Sequence, residues 1–225
     1  MIKNISKVNA AQEAVKFVKN GMIVGLGTGS TAKIAVELLG KKLSKDFQIK
    51  GMPTSIATEE QATKLGIELV KIHEYDTIDI AIDGADEVSP DKSLIKGLGG
   101  ALLREKMVEI KATELIIIVD ETKIVDILGR GPLPVEVSIA NCEITRTMIK
   151  KLGCKIELRI QTNNQPFITD NGNYIFHLIF EEGINDPAEL NKALLEIEGV
   201  KDTGLFLDMA TKVIVGNEIG IRIIE

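Results

Sequence analysis

Residues 22–39 read MIVGLGTGSTAKIAVELL. A short apolar run, 22–26, breaks at Gly27, Thr28, Gly29, Ser30 and Thr31, and apolar residues then return at helical spacing through Leu39. The order is strand, glycine turn, helix, the unit from which parallel α/β sheets are built. The glycines allow a tight turn, and the helix behind them offers backbone N–H groups with no intrahelical acceptor. Together with the hydroxyls of Thr28, Ser30 and Thr31, those N–H groups aim at one point, which suits a phosphate. Ser30 occupies the third glycine position of a GxGxxG fingerprint, and the Gly-Lys-Ser/Thr of a nucleotide P-loop is missing. A dinucleotide or a nucleoside triphosphate is therefore disfavoured, and a monophosphate cup fits better.

On the N-terminal side, Ala11, Val15, Val18 and Met22 recur at helical spacing, and Asn9 with Gln12 fits an N-terminal cap, so a first helix is expected from Asn9 to Gly21. On the other side a strand near 48–52, a helix over 58–65 ended by Gly66, and strand-like residues 67–70 repeat the alternation. Ile78, Ile80 and Ile82 lead into Asp83, Gly84, Ala85 and Asp86, which places two carboxylates where a parallel strand ends. Residues 96–106, KGLGGALLREK, form a second glycine turn running into a helix that carries Glu105 within about one turn of its start. Residues 115–119 read as a buried parallel strand ending in Asp120, with Lys123 in the next turn.

Residues 129–134, GRGPLP, interrupt this pattern and mark a domain boundary. Beyond it come strand 135–139, helix 143–152, strands 155–160 and 174–180, a helix opened by Asp186-Pro187 and running to Ile197, and strand 200–206. That βαββαβ order matches a ferredoxin-like α+β domain. Residues 212–215 and 219–223 read as strands returning to the first sheet. The expected architecture is a Rossmann-like parallel sheet domain over 1–130 and 207–225, with a smaller ferredoxin-like domain over 131–206.

The chain has 225 residues, enough for a sizeable core, with a net charge of −6. An acidic balance argues against a nucleic-acid binder, which needs a concentrated basic face. Cys142 and Cys154 have no CxxC spacing and no histidine pair nearby, so they read as two buried thiols in a reducing cytoplasm. The N-terminal residues carry no apolar leader and no stretch approaches a membrane span, so a cytoplasmic protein with no membrane partner is expected. His73 and His177 lie outside both glycine turns, which leaves histidine-based nucleophilic or metal chemistry with little support.

With GLGTGST, DGADEV, KGLGGALLREK, VDETKIVDILG and PLPVEV in this order, nearly the whole chain resembles ribose-5-phosphate isomerase type A. The resemblance implies that Thr28, Gly29, Ser30 and Thr31 hold the phosphate of the sugar, with Lys7 as a further phosphate contact. It implies that Asp83, Gly84, Ala85 and Asp86 bind the sugar, that Lys96, Gly97, Leu98, Gly99 and Lys123 make further substrate contacts, and that Glu105 is the proton acceptor. Leu98 stands where some members carry another glycine, while Gly97, Gly99 and Gly100 are present. A homodimer or homotetramer is implied as well, with no cofactor and no metal.

The residue types agree with that chemistry. Moving a proton between C2 and C1 through an enediol needs a base and donors for the negative oxygen. Glu105 is suited to the first task, Lys96 and the N–H groups of the turn to the second. Opening the sugar ring takes a proton from the anomeric hydroxyl and returns one to the ring oxygen, for which Asp83 with Asp86 or Lys96 is suited. Two rival readings are a sugar-phosphate-sensing module without catalysis and a hydrolase or deaminase acting on the same ligand class. A nicotinamide dehydrogenase is weakened by the missing third glycine.

Overall fold

The computed structural model describes residues 3–225. The chain opens with α1 (Lys3–Ala14), β1 (Ile23–Leu26), α2 (Ser30–Lys42), β2 (Lys50–Pro53), α3 (Ile56–Lys64), β3 (Glu68–Leu69) and β4 (Ile78–Asp83). Then come β5 (Glu87–Val88), β6 (Leu94–Ile95), α4 (Leu102–Glu109) and β7 (Ala112–Asp120). The second half holds β8 (Leu133–Val137), α5 (Cys142–Lys150), β9 (Lys155–Leu158), β10 (Tyr174–Ile179), α6 (Pro187–Leu195), β11 (Val200–Thr203), β12 (Leu205–Phe206), β13 (Lys212–Gly216) and β14 (Ile221–Ile224). Two compact units emerge. One comprises the chain up to Ala85 with Arg104–Ile124 and Met209–Glu225, the other Asp86–Leu103 with Val125–Asp208. Residues 86–103, grouped with the sheet domain on sequence, thus fall in the second unit.

The first unit is built on a seven-stranded sheet in the order β14-β13-β7-β4-β1-β2-β3. All neighbours are parallel except β14, which runs antiparallel to β13 at the edge. Alternation decides the faces. Val24, Leu26, Ile80, Ile82, Ile116, Ile118 and Ile214 pack with Ala10, Ala11 and Ala14 of α1, Ala35, Val36 and Leu39 of α2 and Ala62 of α3. On the other face Gly25 leaves room for α4, since a side chain there would meet Val108 and Ala81. The strand order reverses between β1 and β4, so their C-terminal ends form the crevice in which open α/β sheets bind ligands.

The second unit carries a four-stranded antiparallel sheet ordered β11-β8-β10-β9. This is the ferredoxin-like arrangement expected from the βαββαβ pattern, and Val135, Val137, Phe176 and Leu178 bury one face in a cluster with Ile149 of α5 and Leu194 of α6. Beside it β12, β6 and β5 form a small antiparallel sheet.

Three expectations need correction. The first helix starts well before Asn9, whose Nδ2 donates to Asn217 O at 2.8 Å instead of capping. It also stops early, tightening to a 3-10 turn at Val15–Phe17 before Val18 turns extended, short of the expected end at Gly21. Second, the single strand expected over 200–206 is divided: Gly204 donates its N–H to Pro134 O at 2.7 Å while accepting from Lys96 N–H at 2.9 Å, and the chain passes from one sheet to the other there. A side chain at Gly204 would overlap Lys96 O and Pro134. Third, only Cys154 is buried; Cys142 begins α5 and is partly exposed, and neither is in a disulfide.

Candidate active site

In the first unit the site residues gather where the parallel strands end. β1 runs into Gly27, and a side chain there would overlap the Asp83 carboxylate. Asp83, the last residue of β4 and 1% exposed, accepts the N–H of Thr28 at 2.9 Å and that of Gly84 at 2.6 Å through Oδ1. The turn and the carboxylate are thereby fixed to each other. Gly29 takes φ +111, a conformation side chains resist, and precedes α2 without supplying a side-chain cap. The N–H groups of the first turn of α2 thus receive no side-chain cap from Gly29 and can serve an anion. Ser30 Oγ accepts from Lys7 Nζ at 2.8 Å, so the lysine near the N-terminus and the glycine turn meet. Thr31 is buried at the start of α2. A cavity of about 510 Å³ opens beside Thr28, Gly29, Ser30 and Lys33.

Lys7 and Lys123 also line a cavity of about 430 Å³ together with Asp120, Thr122 and Asn217. Lys123 lies on a 3-10 turn capped by Asp120, whose Oδ1 accepts the N–H of Thr122 at 3.0 Å. Glu105 sits in the first turn of α4 and is 3% exposed. A carboxylate in that position is removed from bulk water, the setting in which a base can be tuned. Gly84 and Ala85 follow β4 as partly exposed backbone.

In the second unit Asp86 accepts the N–H of Leu98 through Oδ2 at 2.9 Å and donates its own N–H to Ile95 O at 2.8 Å. The glycine turn is closed by Gly100 N–H donating to Gly97 O at 2.9 Å, with φ +104 at Gly97 and +95 at Gly100. Gly99 is the exposed tip. Lys96 is 2% exposed, and its Nζ lies 5.3 Å from the centre of the Phe206 ring, a cation–π contact. A buried ammonium beside an aromatic face is a strong local charge for a developing oxyanion.

Several residues that support these turns were not legible as such. Arg159 stacks on Phe167 at 3.8 Å, and both lie where a side chain at Gly100 would go. Burial pulls the Arg159 guanidinium down from its usual range, while the negative charge of Asp86 draws it back up. Glu87, next to Asp86, accepts the N–H groups of Gly129 at 2.7 Å and Gly131, anchoring the loop before β8. Thr54, Ser55 and Thr58 surround the Thr28 hydroxyl. Among the described residues no group of three His, Cys, Asp or Glu side chains is placed to hold a metal ion, and no helix is long and apolar enough to cross a membrane.

The family model described as ribose 5-phosphate isomerase A (phosphoriboisomerase A) matches residues 50–220. A ribose-5-phosphate isomerase A of Bacillus mycoides is 46% identical over 213 residues, covering 95% of this chain and 96% of the relative. Among solved structures, ribose 5-phosphate isomerase A of Methanocaldococcus jannaschii superposes with a TM-score of 0.94 at 37% identity, covering both chains in full at 100%. A D-ribose-5-phosphate isomerase in complex with phospho-erythronic acid gives a TM-score of 0.94 at 40% identity, covering 100% of this chain and 99% of the other.

Proposed function

The chain belongs to the ribose 5-phosphate isomerase A family, and from that premise we propose how its own residues interconvert D-ribose 5-phosphate and D-ribulose 5-phosphate. The reaction is an aldose-ketose isomerisation of the non-oxidative pentose phosphate pathway. The observation that carries the division of labour is burial: within the glycine-rich stretch 96–106, the Glu105 carboxylate and the Lys96 ammonium are each withdrawn from water, at 3% and 2% exposure.

Glu105 takes the proton from C2 of the open-chain aldose and delivers it to C1, while the proton of the C2 hydroxyl passes to the C1 oxygen, so the bonds broken and formed leave no net proton change. Lys96 and the N–H groups around Gly97, Leu98 and Gly99 hold the enediolate oxygen. Asp83 and Asp86, with Gly84 and Ala85 between them, meet the sugar hydroxyls and serve ring opening. The tie from Asp83 to Thr28 supports a further duty for that carboxylate, keeping the phosphate turn in place. Thr28, Gly29, Ser30 and Thr31 with Lys7 hold the phosphate, and Lys123 adds positive charge. Anchoring the non-reacting phosphate fixes the sugar so that Glu105 reaches both carbons.

Phospho-erythronic acid, bound by one structural relative, carries a phosphate and a planar carboxylate whose two oxygens resemble those of an enediolate, which supports a site of this kind here. We further propose a cytoplasmic homodimer or homotetramer. The unpaired cysteines suit a reducing compartment, and the exposed Ile221 and Ile223 on edge strand β14 suit burial by a second copy. Sedimentation of the purified chain checks the assembly. The activity itself is tested by following ribulose 5-phosphate formation with a chelator present. Steady turnover is expected; binding of ribose 5-phosphate without conversion would move the chain to a sensing role.

A further inference from the structure

Behind the glycine turn of the first unit, four hydroxyl groups stand in mutual contact. Thr28 Oγ1 lies 2.7 Å from Thr54 Oγ1, 2.8 Å from Ser55 Oγ and 3.2 Å from Thr58 Oγ1. Thr54, Ser55 and Thr58 are 1%, 4% and 5% exposed, whereas Thr28 is only partly covered; Thr28 and Thr58 both border the cavity. The cluster thus has a dry side at Thr54 and Ser55, and its most open member is Thr28.

Each hydroxyl has a single proton to donate. Thr58 gives its proton to Gly27 O at 3.0 Å, and Ser55 gives its proton to Thr58 Oγ1 at 3.0 Å. Thr54 faces two acceptors, Leu26 O at 3.0 Å and Thr28 Oγ1 at 2.7 Å. Leu26 O also receives the backbone N–H of Thr54 at 3.0 Å, so the Thr54 hydroxyl can serve Thr28 without leaving that carbonyl bare. Thr28 donates to Ser55 Oγ, which also accepts the N–H of Thr58 at 3.1 Å. The Thr28 proton can therefore turn outward while Leu26 O and Ser55 Oγ each keep a partner. Redirecting the Thr58 proton would instead remove a bond that holds Gly27 O.

Resting on the reading of Thr28 to Thr31 as a phosphate cup, we infer that Thr54, Ser55 and Thr58 are positioning residues for the substrate phosphate. Their bonds to Leu26 O and Gly27 O clamp the main chain entering the turn. Their mutual contacts orient Thr28 so that its hydroxyl donates to a phosphate oxygen. None of the three needs to touch substrate.

Thr58→Val removes the hydroxyl at nearly constant volume, and Thr58→Ser keeps it. The readouts are KM and kcat for ribose 5-phosphate and the constant for competitive inhibition by inorganic phosphate. Thr58→Val is expected to raise KM and the phosphate inhibition constant together by about tenfold, the size of one hydrogen bond to a charged group, with kcat within about twofold. Thr58→Ser should restore both to near wild-type values. Thr54→Val, measured in the same way, replaces Thr58→Val should that variant not fold, and the same rise is expected. A lower melting temperature with an unchanged phosphate inhibition constant would overturn the inference and leave the cluster purely structural. A wild-type enzyme that isomerises the sugar but is not inhibited by phosphate would overturn the cup reading, and this inference with it, while leaving the isomerase activity standing.

Discussion

Asp83 and Asp86 are three positions apart, and each spends a carboxylate oxygen on a backbone amide of a different glycine turn: Thr28 N–H for the first, Leu98 N–H for the second. Beside the chemistry proposed for them, these carboxylates serve geometry. Removing either disturbs a turn before it disturbs any proton transfer, so its kinetic effect mixes the two. Thr31 gives a cleaner test of the binding end, because it is buried in the first turn of α2 and its loss leaves the Asp83 tie in place. Thr31→Ala is expected to raise KM by about tenfold, as loss of one charge-assisted hydrogen bond would, and to lower kcat by less. Steady-state kinetics on ribose 5-phosphate check this; a fall in kcat with KM unchanged would reverse the assignment.

At the scale of elements, caps can be separated from catalysis. Asp186 accepts the N–H of Glu189 at 2.9 Å and caps α6, with Pro187 at the first helical position. Asp186→Ala should cost about 1 kcal/mol of stability and leave kcat/KM unchanged, as thermal melting and kinetics on the same preparation would reveal. That cap was readable because an Asp-Pro pair before an apolar periodicity has few other uses. The β1–α2 unit was readable for the same reason: five turn residues separate two clear periodicities. Elements whose partners are remote in sequence were not. Asn9 resembles a cap until Asn217 supplies its acceptor, and β5, β6 and β12, at two residues each, exist only because they pair with one another. Thr54, Ser55 and Thr58 lie on an ordinary strand-to-helix connection, and their relation to Thr28 arises from β1 and β2 being parallel neighbours. Motif spacing located the groups proposed to meet the ligand; the residues that hold those groups depended on topology.

At the scale of the whole molecule, stability depends on pH through a half-buried imidazole on β10. His177 is held below the usual histidine range, first by burial and then by the positive charge of Arg159, with Glu157 opposing. The imidazole is thus less readily protonated in the native state than in the unfolded chain, where it titrates near about 6.5. As pH falls through that value the unfolded state binds the proton more readily, so stability is lost on acidification and is fully present above it. His177→Gln is expected to flatten the decline in denaturant midpoint between about pH 7.5 and 5.5. An unchanged slope would remove His177 from the account. The central claim is that Glu105 carries the proton between C2 and C1. It is tested most directly by comparing Glu105→Gln with the wild-type chain, measuring ribose 5-phosphate binding and its conversion on the same samples. Binding close to wild type with kcat lower by about 10³-fold or more is the expected result, the scale of a lost general base. Conversion at the wild-type rate would contradict it and return the search for the base to the other acids of the site.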